Sequence, residues 1–235
     1  MFLWLTLNGL FLLVAYLLGS LPSGYWAGRL VKGFDIREQG SGSTGATNVL
    51  RTVGKLPALI VLLVDILKGS AAIALFRWLY TSEFVQPLIP MTVDPAVWLP
   101  WIITLAGMLA LLGHSKSLFL NFTGGKSVAT SLGVLLALNW IVGLGTLAVF
   151  LAVLGVTRIV SISSIMGAIA VSGLMVATGQ PMPYLLFGIA GGVYVIWRHR
   201  TNIQRLMAGT EPRLGQTLPE ATTPPQPDRL TLNIG

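Results

Sequence analysis

The chain has 235 residues, of which 54% are hydrophobic and only 10% are charged, whereas soluble domains carry about 25% charged residues. This composition excludes an ordinary water-soluble globule and favours an integral membrane protein whose net charge of +7 suits anionic lipids or a phosphorylated substrate better than nucleic acid. The lack of cysteine excludes disulfides, thiolate metal sites and a cysteine nucleophile, and two histidines argue against a histidine-rich metal site.

Seven apolar stretches approach the roughly 20 residues that a spanning helix needs. The first lacks the basic leader and the cleavage site of a secretory signal, so we expect a retained helix that continues toward residue 31 along the interface. The fourth and fifth could instead form one bent segment, which would give six spans, because only Asn139, Trp140 and Gly143 mark a break. The predicted spans are 2–22, 56–80, 96–113, 128–141, 143–158, 163–179 and 182–197.

The distribution of lysine and arginine predicts the orientation. Thirteen of the fifteen basic residues lie in the connections 29–55, 114–127 and 158–162 or after residue 197, whereas the 81–95 connection has none. Because basic residues mark the cytoplasmic side, we expect an outer amino terminus and a cytoplasmic carboxyl terminus. An odd number of spans agrees with that arrangement and favours seven over six.

This organisation divides the chain into three parts. Residues 1–197 would form the transmembrane domain, and 198–215 a cytoplasmic segment that belongs to the active site. Residues 216–235 are polar and rich in proline, a composition typical of a disordered tail. All chemically rich segments fall on the predicted cytoplasmic side, which favours chemistry at one interface over a pore.

The stretch "GSGSTGATNVLR" at 40–51 has the composition of an anion-binding loop. Glycines such as Gly40, Gly42 and Gly45 permit positive φ and close backbone approach, so that successive amides can surround a phosphate. Hydroxyl groups, an amide and a guanidinium add donors, and arginine can bind phosphate in a bidentate manner; these donors are Ser41, Ser43, Thr44, Thr47, Asn48 and Arg51. The alternative is a flexible interfacial loop.

A second glycine turn, "TGGKS" at 123–127, precedes a predicted helix. A nucleotide-binding P-loop would need another glycine at position 120, where the chain has Leu120, so that pattern fails. Lys126 beside Gly124 and Gly125 at a helix amino terminus is still a suitable phosphate site. The alternative is an ordinary lysine that follows the charge bias.

A histidine and an asparagine follow the last span in "RHRTN" at 198–202. On a helix His199 and Asn202 would share a face, and the neighbouring arginines should lower the histidine pKa. A neutral imidazole could orient a hydroxyl group or act as a base. The alternative is a basic cluster that contacts lipid headgroups.

Other polar residues admit simpler roles. Asp65 and Lys68 are three residues apart within a span, where charges are usually paired, so we expect a mutual salt bridge. His114 has no obvious partner and is assigned an interfacial structural role. The serines at 161, 163 and 164 could line the site or bond between helices.

These segments together resemble the bacterial acyl-phosphate:glycerol-3-phosphate acyltransferase family of the PlsY type. The resemblance covers residues 19–211. Ser43 and Ser127 depart from the family pattern, which usually has asparagine and glycine at these positions. The matching stretches are "GSLPSGYWAGRLVKGFDIREQGSGSTGATNVLRTVGK" at 19–55, "DILKG" at 65–69, "GH" at 113–114, "FTGGKSVAT" at 122–130, "SISS" at 161–164 and "RHRTNIQRLMAGTE" at 198–211.

The resemblance implies a seven-span, all-α enzyme of the bacterial inner membrane. It would transfer a fatty acyl group from acyl phosphate to the 1-hydroxyl of glycerol 3-phosphate, giving lysophosphatidic acid and inorganic phosphate, the first acylation of phospholipid synthesis. No acyl-coenzyme A, acyl carrier protein, cofactor or metal is implied. We expect a monomer whose partners are the two substrates and membrane lipids. A phosphate or organophosphate transporter and a structural lipid-binding protein are the alternatives.

By correspondence with the family motifs, Ser41, Arg51, Lys126, His199 and Asn202 should be the catalytic residues. The acyl-phosphate phosphate is assigned to the loop 41–48, and glycerol 3-phosphate to the other four catalytic residues with help from the serines of 161–164. Further predicted binding residues are Gly40, Gly42, Ser43, Gly45, Thr47, Asn48, Gly124, Gly125, Ser163 and Ser164.

Overall fold

The computed structural model describes residues 1–216 of the chain, and these form helices joined by turns. Three short 3₁₀ turns and one isolated antiparallel bridge between Ser117 and Thr123 complete the secondary structure of this part. The helices are α1 (Phe2–Ser20), α2 (Ser23–Lys32), α3 (Ala46–Thr52), α4 (Lys55–Thr81), α5 (Pro95–Ser115), α6 (Val128–Leu138), α7 (Trp140–Thr157), α8 (Val160–Ala177), α9 (Met182–Arg198) and α10 (Arg200–Met207). The predicted tail lies outside the described residues from 217 onward.

Five helical stretches are long and apolar enough to cross a membrane, which agrees with the predicted all-helical membrane protein. Two apolar helices, α6 and α9, are shorter than 18 residues, so the seven crossings stay a prediction. The five candidates are Phe2–Lys32, Lys55–Thr81, Pro95–Ser115, Trp140–Thr157 and Val160–Ala177.

A break divides the fourth and fifth predicted spans into α6 and α7. Asn139 ends α6 and caps α7, because its Oδ1 accepts hydrogen bonds from the amides of Ile141, at 2.9 Å, and Val142, at 3.1 Å. Helix α6 therefore ends at Leu138, three residues before the predicted limit. The Leu138 carbonyl at this end accepts a hydrogen bond from Arg77 Nη2 of α4, at 3.0 Å.

A second break separates the first span from its predicted interfacial extension. Helix α1 ends before Pro22, whose ring has no amide hydrogen to donate. The carbonyl of Leu21 at this break accepts from Lys68 Nζ of α4, at 3.0 Å. Helix α2 then continues to Lys32, as expected, and exposes Trp26 and Leu30.

Close helix packing fixes α6 against α4. A Cβ added to Gly133 of α6 would overlap the Ile66 carbonyl, and one added to Gly69 of α4 would overlap the Thr130 carbonyl. Small residues of this kind let membrane helices approach closely. The buried apolar core lies mainly between α1, α4, α5, α6 and α9, and α8 contributes Val171 and Met175 to it. Helices α7 and α8 pack on one side of this core, and a cavity remains between them, α6 and α9.

Candidate active site

The loop 40–51 is held together by one side chain. Asn48 is 2% exposed, and its Oδ1 accepts a hydrogen bond from the amide of Ser41 at 3.0 Å. Its Nδ2 donates to the carbonyls of Gln39, at 3.0 Å, and Ser43, at 2.9 Å. Asn48 thus uses its side-chain donors on the carbonyls of the loop and of the residues just before it, and its acceptor on the Ser41 amide.

Arg51 leaves this loop on the short helix α3. One Nη2 hydrogen bond goes to the carbonyl of Pro212, at 3.5 Å, and brings the segment after α10 over the loop. Burial lowers the pKa of Arg51, and Arg205 adds to that shift while Glu211 opposes it. The guanidinium remains charged at every physiological pH and keeps further donors for an anion.

The turn 123–127 is held from outside by α5 and α9. The amide of Gly125 donates to the His114 carbonyl at 3.2 Å, and Arg198 Nη2 donates to the Gly125 carbonyl at 2.8 Å. A Cβ on Gly125 would overlap the His114 ring nitrogen Nε2, so only glycine fits there without displacing the ring. The turn then leads into Ser127, whose φ of 64° is left-handed.

Lys126 projects from this turn toward the cavity. Burial lowers the pKa of Lys126 to about 8, and the cationic neighbours Arg205, Arg51 and Arg198 contribute to the decrease, whereas Glu211 opposes it. Within residues 1–216 no carboxylate lies within salt-bridge distance of its Nζ. A buried ammonium in this setting is suited to an incoming phosphate.

His199 follows α9 and is held as a neutral imidazole. Its Nδ1 lies 2.8 Å from the Val195 carbonyl, which can only accept, so Nδ1 carries the hydrogen and Nε2 keeps its lone pair. Burial lowers the pKa of His199 to about 4, the Val195 hydrogen bond opposes the shift, and Lys126 and Arg198 lower the pKa further. The predicted direction of the shift is confirmed, although burial is its larger cause.

A carboxylate outside the set of predicted site residues lies beside these cations. Glu211 accepts hydrogen bonds from Asn202 Nδ2, at 2.6 Å, from Ser161 Oγ, at 2.8 Å, and from Arg205 Nε, at 2.7 Å. Burial raises the pKa of Glu211, but these donors outweigh it and lower the pKa overall. The sequence did contain a signal for this residue, because Glu211 is the one acidic residue in the basic segment 198–213. Asn202 Oδ1 remains buried without a hydrogen-bond partner in the described part of the chain.

A buried ionic cluster lies next to the turn 123–127. Lys68 Nζ contacts Asp65 Oδ1 at 2.8 Å, which confirms the expected salt bridge. The same Oδ1 accepts from Ser23 Oγ at 2.7 Å and lies 3.5 Å from His114 Nδ1. His114 is therefore a buried neighbour of Asp65, and its Nδ1 makes no hydrogen bond within residues 1–216. The expected interfacial position is wrong, because His114 is only 6% exposed.

These elements enclose one cavity of about 410 Å³. Its lining includes all five predicted catalytic residues and, of the predicted binding residues, Ser43, Gly45, Thr47, Asn48 and Ser164. The other predicted binding residues, Gly40, Gly42, Gly124, Gly125 and Ser163, shape the loops or α8 without lining the cavity. Asp65, His114, Ser161 and Glu211 are additional polar lining residues. Within residues 1–216 no group of three or more His, Asp or Glu side chains is placed to hold a metal ion.

The family model of glycerol-3-phosphate acyltransferases matches residues 9–209. The chain belongs to this family. A glycerol-3-phosphate acyltransferase of Nostoc sp. (strain PCC 7120 / SAG 25.82 / UTEX 2576) is 66% identical over 92% of this chain and 95% of that relative. The one from Trichodesmium erythraeum (strain IMS101) is 60% identical over the same shares of the two chains.

Solved structures of another family member have the same fold. The glycerol 3-phosphate form of PlsY (YgiH), an integral membrane glycerol 3-phosphate acyltransferase, is 36% identical with a TM-score of 0.75, over 88% of this chain and 96% of that one. Its lysophosphatidic acid form is 35% identical with a TM-score of 0.73, over 88% and 94%. This glycerol-3-phosphate acyltransferase family member is therefore a multi-pass integral membrane protein.

Proposed function

We propose that this chain transfers a fatty acyl group from an acyl phosphate to the 1-hydroxyl of glycerol 3-phosphate at the cytoplasmic face of a bacterial inner membrane. The observation that carries the proposal is a single cavity with arginine, lysine and a neutral histidine at one end and apolar side chains along the rest. Two phosphorylated substrates match the cationic end, and the fatty chain of one matches the apolar part. The family membership supports the same acceptor and product.

The two phosphates are assigned to different parts of the cationic end. The loop 41–48, whose shape Asn48 holds, offers the hydroxyl groups of Ser41 and Ser43 and the amide of Ser43 to the phosphate of the acyl donor, because the Ser41 amide already donates to Asn48. The cationic side chains of Arg51 and Lys126 bind the phosphate group of glycerol 3-phosphate. The unpartnered Oδ1 of Asn202 then accepts from a glycerol hydroxyl, next to the serines of 161–164.

The reaction needs positioning more than an activated protein nucleophile. The 1-hydroxyl oxygen of glycerol 3-phosphate attacks the carbonyl carbon of the acyl phosphate, and the bond from that carbon to the phosphate oxygen breaks. The ester forms, inorganic phosphate leaves, and a phosphate oxygen of the donor takes the hydroxyl proton. Cationic side chains around the phosphate stabilise the charge that develops there.

His199 has two candidate roles in this scheme. Its Nε2 lone pair can accept a hydrogen bond from the 1-hydroxyl and orient it, or it can remove the proton as a general base. A pKa of about 4 makes His199 a weak base and favours orientation. In a His199→Ala variant, a rise confined to the glycerol 3-phosphate KM supports binding and orientation. A complete loss of kcat that imidazole restores supports the base.

The purified protein tests the function directly. Palmitoyl phosphate with glycerol 3-phosphate should yield equal amounts of inorganic phosphate and lysophosphatidic acid, whereas palmitoyl-coenzyme A should yield none. Absence of both products with folded protein contradicts the proposal. The transporter alternative has no support from the acyltransferases described above, and uptake of labelled glycerol 3-phosphate into proteoliposomes checks it.

The orientation can be tested on a chain that has no cysteine of its own. We propose seven crossings with the cavity mouth in the cytoplasm and a monomer as the active unit. Lys116→Cys and Thr92→Cys place single exposed thiols in the loops on either side of α5. In intact cells an impermeant maleimide should label only Thr92→Cys, and the opposite pattern contradicts the orientation. Light scattering in detergent checks the monomer.

A further inference from the structure

The cavity changes character along its length. Its polar end is lined by His199 and Asn202, and the part deeper in the bundle by aliphatic and aromatic side chains. Leu135 of α6, Val171 of α8 and Phe187 of α9 line the deepest part, and all three belong to the buried core between the helices. Phe187 is only 2% exposed. These three residues form an end wall where the apolar part of the cavity meets the packed core.

The depth of this cavity matches one fatty acyl chain. Phe187 precedes His199 by twelve positions along α9, which corresponds to about 18 Å of helix. The hydrocarbon part of a single leaflet is about 15 Å deep, half of a bilayer core of roughly 30 Å. An acyl chain bound with its phosphate at the polar end therefore extends close to the end wall.

Four glycines of α8 and α9 line the apolar part, and they fall into two kinds. A Cβ on Gly188 would lie 3.0 Å from Val171 Cγ1, and one on Gly192 would lie 2.8 Å from the Ala168 carbonyl oxygen. The packing of α8 on α9 accounts for these two glycines. Gly167 and Gly191 are of the second kind, since an added Cβ would make only ordinary contacts. The nearest atom to Gly167 would be Thr146 Cγ2 at 3.6 Å, whereas a Cβ on Gly191 would meet Leu111 Cδ2 at 3.5 Å, Phe187 Cζ at 3.8 Å and Met108 Sδ at 3.9 Å. Of these two glycines, Gly191 is the one in contact with the end wall.

The packing of the neighbouring helices therefore does not require glycine at position 191. Glycine is among the poorest helix formers in water, and alanine would fit here without displacing any atom. It lies eight positions before His199, or about 12 Å along the helix. Because Gly191 lines the cavity and its added Cβ would contact Phe187, a larger side chain at this position would narrow the cavity near the end wall.

We propose that the missing side chain of Gly191, together with the Phe187 end wall, sets the longest acyl chain that this enzyme uses. The inference rests on the proposed acyl-phosphate reaction and adds a determinant of donor specificity to it. A longer chain meets Phe187, and a bulky residue at 191 would stop the chain about 12 Å from His199. Shorter donors would still place their phosphate and carbonyl groups correctly.

The test compares kcat/KM for lauroyl, myristoyl, palmitoyl and stearoyl phosphate at saturating glycerol 3-phosphate. Gly191→Leu should lower the ratio of palmitoyl to lauroyl phosphate kcat/KM by about tenfold or more, the scale on which hydrophobic pockets discriminate chain length. Gly191→Ala should shift the ratio in the same direction by a smaller factor, and it decides the matter if Gly191→Leu does not fold. Phe187→Leu should shift the ratio toward stearoyl phosphate.

Gly173→Leu is the matched control, because Gly173 is an exposed glycine of α8 whose added Cβ meets no atom within 4 Å. Its chain-length profile should equal that of the unmodified enzyme. Equal losses for every donor in both Gly191 variants would overturn the proposal. Unchanged profiles would also overturn it and would place the chain in the opening at Leu62 and Leu151, two exposed lining residues. If the unmodified enzyme used no acyl phosphate, the proposed function itself would fail.

Discussion

The two glycine-rich turns of the candidate active site obtain their shapes in opposite ways. The loop 40–51 is held by a side chain of its own: Asn48 forms hydrogen bonds with the Ser41 amide and with the carbonyls of Gln39 and Ser43. This is called the internal brace. The turn 123–127 is held by residues of other helices, His114 of α5 and Arg198 of α9, which form hydrogen bonds with Gly125. A loop of the first kind carries its geometry in its local sequence, whereas the second acquires it only when distant helices meet.

The largest expected effect comes from removing the internal brace. Asn48→Ala removes the hydrogen bonds to the Ser41 amide and to the carbonyls of Ile36, Gln39 and Ser43, of which the Ile36 bond is buried. Each bond contributes about 0.5–1.5 kcal/mol. We expect kcat/KM to fall by about 100-fold or more because the loop loses its shape. Gln39→Ala is the control, since Gln39 contributes only its carbonyl and its side chain is exposed. A similar loss in both variants would contradict the internal brace.

The second largest expected effect comes from disturbing the contact between the turn 123–127 and His114 of α5. A second substitution, at His114, should partly reverse this effect. Gly125→Ala forces the new methyl group into the His114 ring and displaces Lys126, so the glycerol 3-phosphate KM should rise by about tenfold. Adding His114→Ala provides the space, and the double variant should recover part of the affinity. Such non-additivity is typical of residues in contact. Strict additivity of the two changes would contradict the contact, and Gly155→Ala, with no atom near its added Cβ, is the control.

The third prediction concerns Lys126, the ammonium group of the turn 123–127. Its titration should make kcat/KM for glycerol 3-phosphate depend on pH, an effect that the loop 40–51 should not produce. Because the pKa of Lys126 is lowered to about 8, its charge is present below that pH and lost as the pH rises through it. The value of kcat/KM for glycerol 3-phosphate, which reports groups of the free enzyme, should therefore decrease above pH 8. Lys126→Arg keeps its charge and should remove this decrease. An unchanged profile would assign the titration to another group.

The smallest effect concerns stability at the end of the second turn. Ser127 combines a left-handed φ of 64° with a hydrogen bond from its Oγ to the Leu111 carbonyl at 2.7 Å. Left-handed backbone costs an L-residue roughly 1–2 kcal/mol, and a hydrogen bond returns about 1 kcal/mol. Ser127→Gly should leave the unfolding temperature in detergent almost unchanged, whereas Ser127→Ala should lower it. Equal decreases would show that the backbone strain is negligible.

Hydropathy and charge predicted much of the helical architecture, because lipid requires continuous apolar helices. The sequence placed α4, α5 and α9 within a few residues of their observed limits. It extended the fourth span to residue 141, because apolar character continues past the point where Asn139 begins to cap α7. Capping depends on one side chain and leaves no mark on average hydropathy.

The site was predicted where local chemistry is enough and missed where distant segments converge. Lys126, Arg51 and His199 could be selected because phosphate chemistry favours these residue types near glycine turns or helix ends. Glu211 was missed although Asn202 and Arg205, two of its partners, lie within nine positions of it. Its bond to Ser161 and the approach of His114 to Asp65 could not be predicted, because they join residues about 50 positions apart. The seven crossings, the orientation and the roles of the site residues stay predictions.

The contact of Arg51 with Pro212 has a consequence for biogenesis. A ribosome delivers the amino-terminal loop to the membrane long before it completes the carboxyl-terminal segment that closes over that loop. A nascent chain released before the last helix is threaded therefore lacks one wall of its cavity. We expect substrate capture to begin only after Pro212 and its neighbours are in place, so chains that end before α10 should be inactive.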